Sequence, residues 1–205
     1  MSEYGKQLSP QKRARVEKFQ NIRQDLLDHG YKEEILTIST LKANVMALII
    51  CLPLLVVGCF LFFRFNRIAP ITDIPIWTFV AALIGIVIHE LIHGLVWAYF
   101  SKDKFKSIGF GVEWKYLTPY CTCNECLPYK AYALGVIMPT IILGFIPYII
   151  SVVIGSYHLL FFSLLLITGG GGDMYVLFLI KKYKNAILVD HPYLIGCVAF
   201  RKIRA

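Results

Sequence analysis

Residues 89 to 93 read His-Glu-Leu-Ile-His. Side chains four apart on a helix project from one face, one turn apart, so the ring nitrogens of His89 and His93 can share a metal ion. Glu90 beside them can then reach a water on that metal as general base. The motif lies in the stretch Ile74 to Phe100, where Glu90 is the only acid and no Lys or Arg occurs. Polar side chains in apolar helices can serve only as interhelical glue. Yet an acid at mid-bilayer costs about 2.5–3.5 kcal/mol on insertion scales, and three polar groups in five positions multiply that cost. The pattern therefore points to metal-assisted hydrolysis, with Zn2+ as the metal suited to imidazole and carboxylate ligands.

The composition explains where such a site would stand. The chain is 57% hydrophobic and 17% charged, with mean hydropathy +0.63, which marks an integral membrane protein. Four apolar runs are long enough to span: 43–63, 74–100, 131–155 and 157–180, with Gly155-Ser156 as a tight turn between the last two. Trp77, Trp97, Tyr99 and Tyr157 fall near span ends, where interfacial aromatics belong. Of the 21 Lys and Arg residues, eight lie in 1–42, five in 101–130 and six in 181–205, against two in the 64–73 loop. The positive-inside rule then puts both termini and the 101–130 loop in the cytoplasm. The net charge of +8 reads as a topology signal and an attraction to anionic lipid headgroups, with no nucleic-acid partner expected. The first 42 residues are polar and do not read as a signal peptide.

A catalytic zinc takes three protein ligands and leaves a position open. Apart from Glu90, the only acid inside a span is Asp173, which follows Gly169-Gly170-Gly171-Gly172. Counting from Ser101 and Lys181 at about 1.5 Å per residue, His89, His93 and Asp173 all lie about 12–18 Å from the cytoplasmic edge. Four consecutive glycines exceed what close helix packing needs. They predict a locally loosened helix, or a close backbone approach, beside the metal.

With these residues in hand, the chain resembles the site-2 protease class of intramembrane zinc metalloproteases, and more closely a bacterial family of zincin-type peptidases. The resemblance runs through Gly30-Tyr31 to Asn44, His89-Glu90-Leu91-Ile92-His93-Gly94, Pro119-Tyr120-Cys121, Pro139, Gly172-Asp173 and Asp190-His191-Pro192. It implies a three-helix catalytic core in spans 2 to 4, with His89, His93 and Asp173 as zinc ligands and Glu90 as the catalytic residue, in a bacterial cytoplasmic membrane. Met174 stands where that class usually carries Gly, and the third span lacks an auxiliary Asn.

The expected fold is thus all-α integral membrane. A cytoplasmic N-terminal segment (1–42) precedes a four-span metalloprotease domain (43–180), and a cytoplasmic tail (181–205) follows it. In the 101–130 loop, Ile108, Phe110, Val112, Trp114 and Tyr116 alternate with Gly109, Gly111, Glu113 and Lys115, which predicts a strand in a hairpin at the membrane surface. Its edge could pair with an unwound substrate, or it could simply cover the site. Cys121, Cys123 and Cys126 are spaced poorly for a second metal site, and Cys51, Cys59 and Cys197 read as packing residues. Near the N-terminus, Ser9 can cap a helix that Pro10 opens and Gly30 ends, with Val16, Phe19, Ile22 and Leu26 as an apolar stripe suited to an interfacial anchor. His29, His158 and His191 are expected to stand apart from the metal. The function implied is zinc-dependent cleavage of a membrane protein or peptide within the bilayer. The rivals are a non-catalytic metal-binding scaffold or chaperone, and more weakly a metal transporter, for which the outer halves of the spans offer few polar residues.

Overall fold

The computed structural model describes residues 10–66, 75–114 and 118–202. Ser9, Lys115, Tyr116 and most of the 64–73 loop fall outside them, so the predicted cap at Ser9 and the end of the predicted strand are not part of the description.

Three helices are long and apolar enough to cross a membrane: Thr40–Phe65 (α2), Ile76–Phe100 (α3) and the continuous run Tyr129–Ile154. The last consists of α4 (Tyr129–Pro139), a π-helical turn (Thr140–Phe145) and α5 (Ile146–Ile154). Tyr157–Gly169 (α6) and Gly171–Ile180 (α7) make a fourth span only if taken as one helix bent by 42°. These helices mark a membrane protein. On α2 the large side chains Leu48, Leu52, Val56 and Phe60 are exposed, while Ala43, Cys51, Gly58 and Phe62 form the buried seam. Small residues along much of that seam let helix backbones approach where lipid provides no hydrophobic drive to associate. The turn predicted at Gly155-Ser156 is present. Gly155 takes φ +70°, which glycine adopts without strain, and the Ser156 hydroxyl accepts from the Leu159 N–H to cap α6.

The expectation of an all-α fold needs correction, because the segments between and beyond the long apolar helices form two sheets. Ile108–Glu113 (β2) and Thr118–Cys123 (β3) make the antiparallel hairpin that the alternation in this loop predicts. A second sheet joins Tyr31–Ile38 (β1), Leu127–Pro128 (β4), Ile187–Asp190 (β5) and Ile195–Lys202 (β6) in the antiparallel order β1-β6-β5-β4. The N-terminal segment, the 101–130 loop and the C-terminal segment thus share one sheet. β5 and β6 form a local hairpin, but the pairings of β1 with β6 and of β4 with β5 are too distant in sequence for local pattern to reveal.

The sheet has two buried faces, as the period-two alternation of strands allows. Val189, Val198 and Phe200 pack beneath Pro10–Asp28 (α1), against Phe19 and Leu26. Leu188, Cys197 and Ala199 face the ends of the long apolar helices and of α7, against Trp97, Tyr132, Val176 and Ile180. The stripe on α1 expected to rest on the bilayer is therefore buried against protein. Each of its two large side chains gains about 1.5–3 kcal/mol from that burial. Gly30, with φ +77°, ends α1 as predicted and turns the chain into β1.

Candidate metal centre

His89, His93 and Trp97 follow one another at i, i+4 and i+8 on α3, and all three are buried. Asp173 reaches them from the first turn of α7, where a carboxylate also complements the positive end of the helix. Its Oδ2 lies 2.9 Å from His89 Nε2 and 3.4 Å from His93 Nε2. Two ligands bound to one tetrahedral zinc at about 2.0–2.1 Å stand about 3.3 Å apart, so these separations suit a shared ion. The ligand-type atoms of His89, Glu90 and His93 also lie within 4.8 Å of one another, the one such group among the described residues. Two carboxylates therefore flank the histidine pair, and Asp173 is the one in direct contact with it.

The fit to a metal is strengthened by the far side of His93. Its Nδ1 lies 2.8 Å from the Gly135 carbonyl oxygen. A carbonyl can only accept, so Nδ1 carries a proton, and in the neutral ring the Nε2 lone pair then faces Asp173 and His89. A ligand imidazole anchored by its second nitrogen in this way is the usual arrangement at protein metal sites. The donor set suits zinc, since two imidazoles and a carboxylate are ligand types it prefers.

Close backbone approaches build this geometry. A Cβ on Gly135 would overlap the Trp97 indole, which stacks on His93 at a ring separation of 5.3 Å and on Tyr132 at 5.5 Å. The Trp97 Nε1–H donates to the Tyr132 carbonyl at 3.2 Å, closing the joint between α3 and α4. On another side of α3, a Cβ on Gly94 would come 2.5 Å from Phe110, so β2 lies directly against the helix one residue past His93. β3 packs along α3, with Cys121 beside Glu90.

The glycine run does what its composition suggested. The helix breaks at Gly170, between α6 and α7. A Cβ on Gly170 would strike the Thr140 hydroxyl, and one on Gly171 would lie 2.7 Å from Cys51 Sγ, whereas Gly169 and Gly172 face open space. The break lets Asp173 turn toward α3.

Other sequence-based assignments fall differently. Trp97, read as an interfacial aromatic, is only 4% exposed and belongs to the site, whereas Trp77 and Tyr99 are exposed. Its position four residues after His93 was the overlooked signal. Cys121, Cys123 and Cys126 do not converge on a common point with any third ligand, and Cys123 Sγ instead meets the Ser101 hydroxyl at 3.3 Å. Burial pushes the Cys123 thiol up to about 11 and raises Cys121 as well. His29 sits on Asp25, His158 against Trp77 and Tyr157, and His191 against Phe19 and Tyr193. Gly135, Tyr132 and Asp190 support the site without having been singled out for that role.

No curated protein and no solved structure matches the chain. Residues 82–188, more than half of it, match the family described as "Putative zincin peptidase", a span that carries the histidine pair, both flanking carboxylates, the hairpin and Gly135. The chain belongs to that zincin peptidase family.

Proposed function

We propose that this protein is a zinc-dependent intramembrane metalloprotease of site-2-protease-like type. It hydrolyses peptide bonds in or near the transmembrane segment of membrane proteins or peptides, with His89, His93 and Asp173 holding one zinc per chain and Glu90 acting as general base and acid. The observation that carries this reading is the meeting of two histidine Nε2 atoms on one Asp173 oxygen, between helices otherwise apolar enough to cross a bilayer. Zinc, when bound, acidifies a water and polarises the scissile carbonyl. Glu90 takes the proton from the attacking water and returns it to the leaving amine. The Gly135 carbonyl fixes the His93 ring, and β3 passes beside Glu90 at Cys121. The Asp173 side chain keeps 26% of its surface open, which supports access for water and substrate.

Pairing of β1 with β6 and of β4 with β5 supports the N-terminal segment, the 101–130 loop and the C-terminal segment sharing one face, and their excess of Lys and Arg makes that face the cytoplasmic one. A substrate helix hides its carbonyls in hydrogen bonds and must unwind before attack. The β2–β3 hairpin, lying against α3 at Gly94, supplies an edge on which an unwound segment can pair.

The test is elemental analysis of detergent-purified protein beside Asp173→Ala. About one zinc per chain, sharply reduced in the variant, supports the ligand set. A Glu90→Gln variant that keeps its zinc and accumulates uncleaved substrate supports the chemistry. Folded protein that takes up no zinc when it is supplied refutes the reading, and intact function in Glu90→Gln would favour a non-catalytic scaffold instead.

A further inference from the structure

We infer that Asp190 is a positioning residue of the proposed metal centre: its single buried carboxylate joins the strand that faces Glu90 to the helix that orients His93. The inference rests on the metal-site reading above but concerns a residue outside it.

Asp190 ends β5 and is only 9% exposed. Its Oδ1 accepts from the Tyr132 hydroxyl at 2.5 Å, and its Oδ2 accepts from the Cys123 backbone N–H at 2.7 Å. These donors belong to α4 and β3, elements that otherwise meet the site from different directions. On the α4 side, Tyr132 stacks on Trp97 and Trp97 on His93, while Gly135, one turn further along α4, holds the His93 Nδ1–H. On the β3 side, Cys121, two residues before Cys123, lies beside Glu90 where the strand packs along α3. One carboxylate thus sits at the junction of two chains of contact, one ending on a ligand and the other on the general base.

The choice of residue supports the assignment. A carboxylate is acceptor-only with two oxygens, so it can take both donors at once in short charge-assisted bonds. Burying it is costly, and apolar side chains of similar volume would pack the same space as well or better. What an apolar residue could not do is hold an α4 hydroxyl and a β3 amide at a set separation. The Arg15 guanidinium, which donates to the neighbouring His191 carbonyl at 2.9 Å, supplies positive charge nearby.

The test uses the full-length protein in detergent, stripped of metal. Zinc affinity is read by competition with a chromophoric chelator, ligand geometry by the visible spectrum of the Co2+-loaded protein, and folding by circular dichroism and thermal melting. Asp190→Ala is expected to weaken zinc binding about 10–100-fold and to shift the Co2+ bands. Tyr132→Phe keeps the ring stack but loses the hydroxyl, and is expected to weaken zinc binding by a few-fold. Asp190→Asn should lie nearest the wild type, because its carbonyl can accept from Cys123 while its amide donates to the Tyr132 oxygen. A merely structural carboxylate would lower the melting temperature while leaving zinc affinity and the Co2+ spectrum unchanged in folded protein, and that result overturns the inference. If Asp190→Ala does not fold, Tyr132→Phe decides, since it preserves side-chain volume and breaks only the bond to Asp190, and unchanged zinc affinity and Co2+ bands in it overturn the inference. Zinc-free wild type would instead refute the metal centre itself, and the inference with it.

Discussion

Gly135→Ala isolates the joint between α3 and α4, because adding one methyl there has two opposed and separable effects. In an ordinary helix the change stabilises, by about 0.5–1 kcal/mol, since glycine loses more backbone freedom on folding. Here the new Cβ would overlap Nε1 and Cδ1 of Trp97, and Trp97 is held between the rings of His93 and Tyr132 with almost no exposure. Forcing an extra methyl into such a packed site costs about 1–3 kcal/mol. The net effect is a loss of up to about 2.5 kcal/mol, or a melting temperature lower by up to about 10 °C for a chain of this length. Because the same residue supplies the carbonyl that orients His93, zinc affinity is expected to fall about tenfold as well. The matched control is Gly172→Ala, where a Cβ meets nothing within 4 Å and only the gain in helix propensity remains. Thermal melts followed by intrinsic fluorescence in detergent, with and without zinc, read both variants. A Gly135→Ala protein that melts at or above the wild type and binds zinc as tightly would refute the packing argument.

Other expectations follow from individual contacts. Glu90→Gln should retain full zinc content while cleavage of a membrane peptide drops about 10²–10⁴-fold, and loss of zinc in this variant would show Glu90 to be a ligand instead. Alkylation of the folded protein at mild alkaline pH should mark the exposed Cys126 well before Cys123 and Cys197, whose thiols burial raises, and Cys121→Ser with Cys126→Ser should leave zinc per chain unaltered. Arg23 grips Glu33 by two bonds of 2.5 Å, from Nε to Oε2 and from Nη2 to Oε1, and so holds that carboxyl below its ordinary value of 4.5. A lowered folded-state pKa gives stability that is present above the unfolded value and lost as pH falls through the folded one. Glu33→Gln should therefore cost about 0.5–1 kcal/mol near neutrality and progressively less below about pH 4.5, as melting across that range would reveal.

How much of this was legible depends on how local each signal was. The membrane class, the helical stretches, the Gly155-Ser156 turn and the β2–β3 hairpin could all be read along the chain, since each rests on periodicity or on residues that favour one backbone geometry. The candidate cluster was legible for a related reason. Polar residues are costly in an apolar helix, so His89, Glu90, His93 and Asp173 stood out against their surroundings, and the depth count put the two histidines and Asp173 in one layer before any contact was known. The glycines beside Asp173 announced a break, though not its direction.

What the sequence alone determined, then, was which segments are apolar, where the chain turns, and which few polar residues are too costly to be incidental. Tertiary structure decided how the remainder is used. It closed the two ends of the chain into one sheet through pairings such as Tyr31 with Lys202, which no local window contains. It buried the stripe of α1 against that sheet instead of leaving it for lipid, because an apolar face has the same composition whichever apolar surface covers it. It moved Trp97 from the membrane boundary into the site, since an aromatic near a helix end can face headgroups or a neighbouring helix, and only the glycine at 135 opens the space beside it. And it brought Asp190, far along the chain, to the junction of β3 and α4, where its two oxygens find donors that proximity in space alone could assemble.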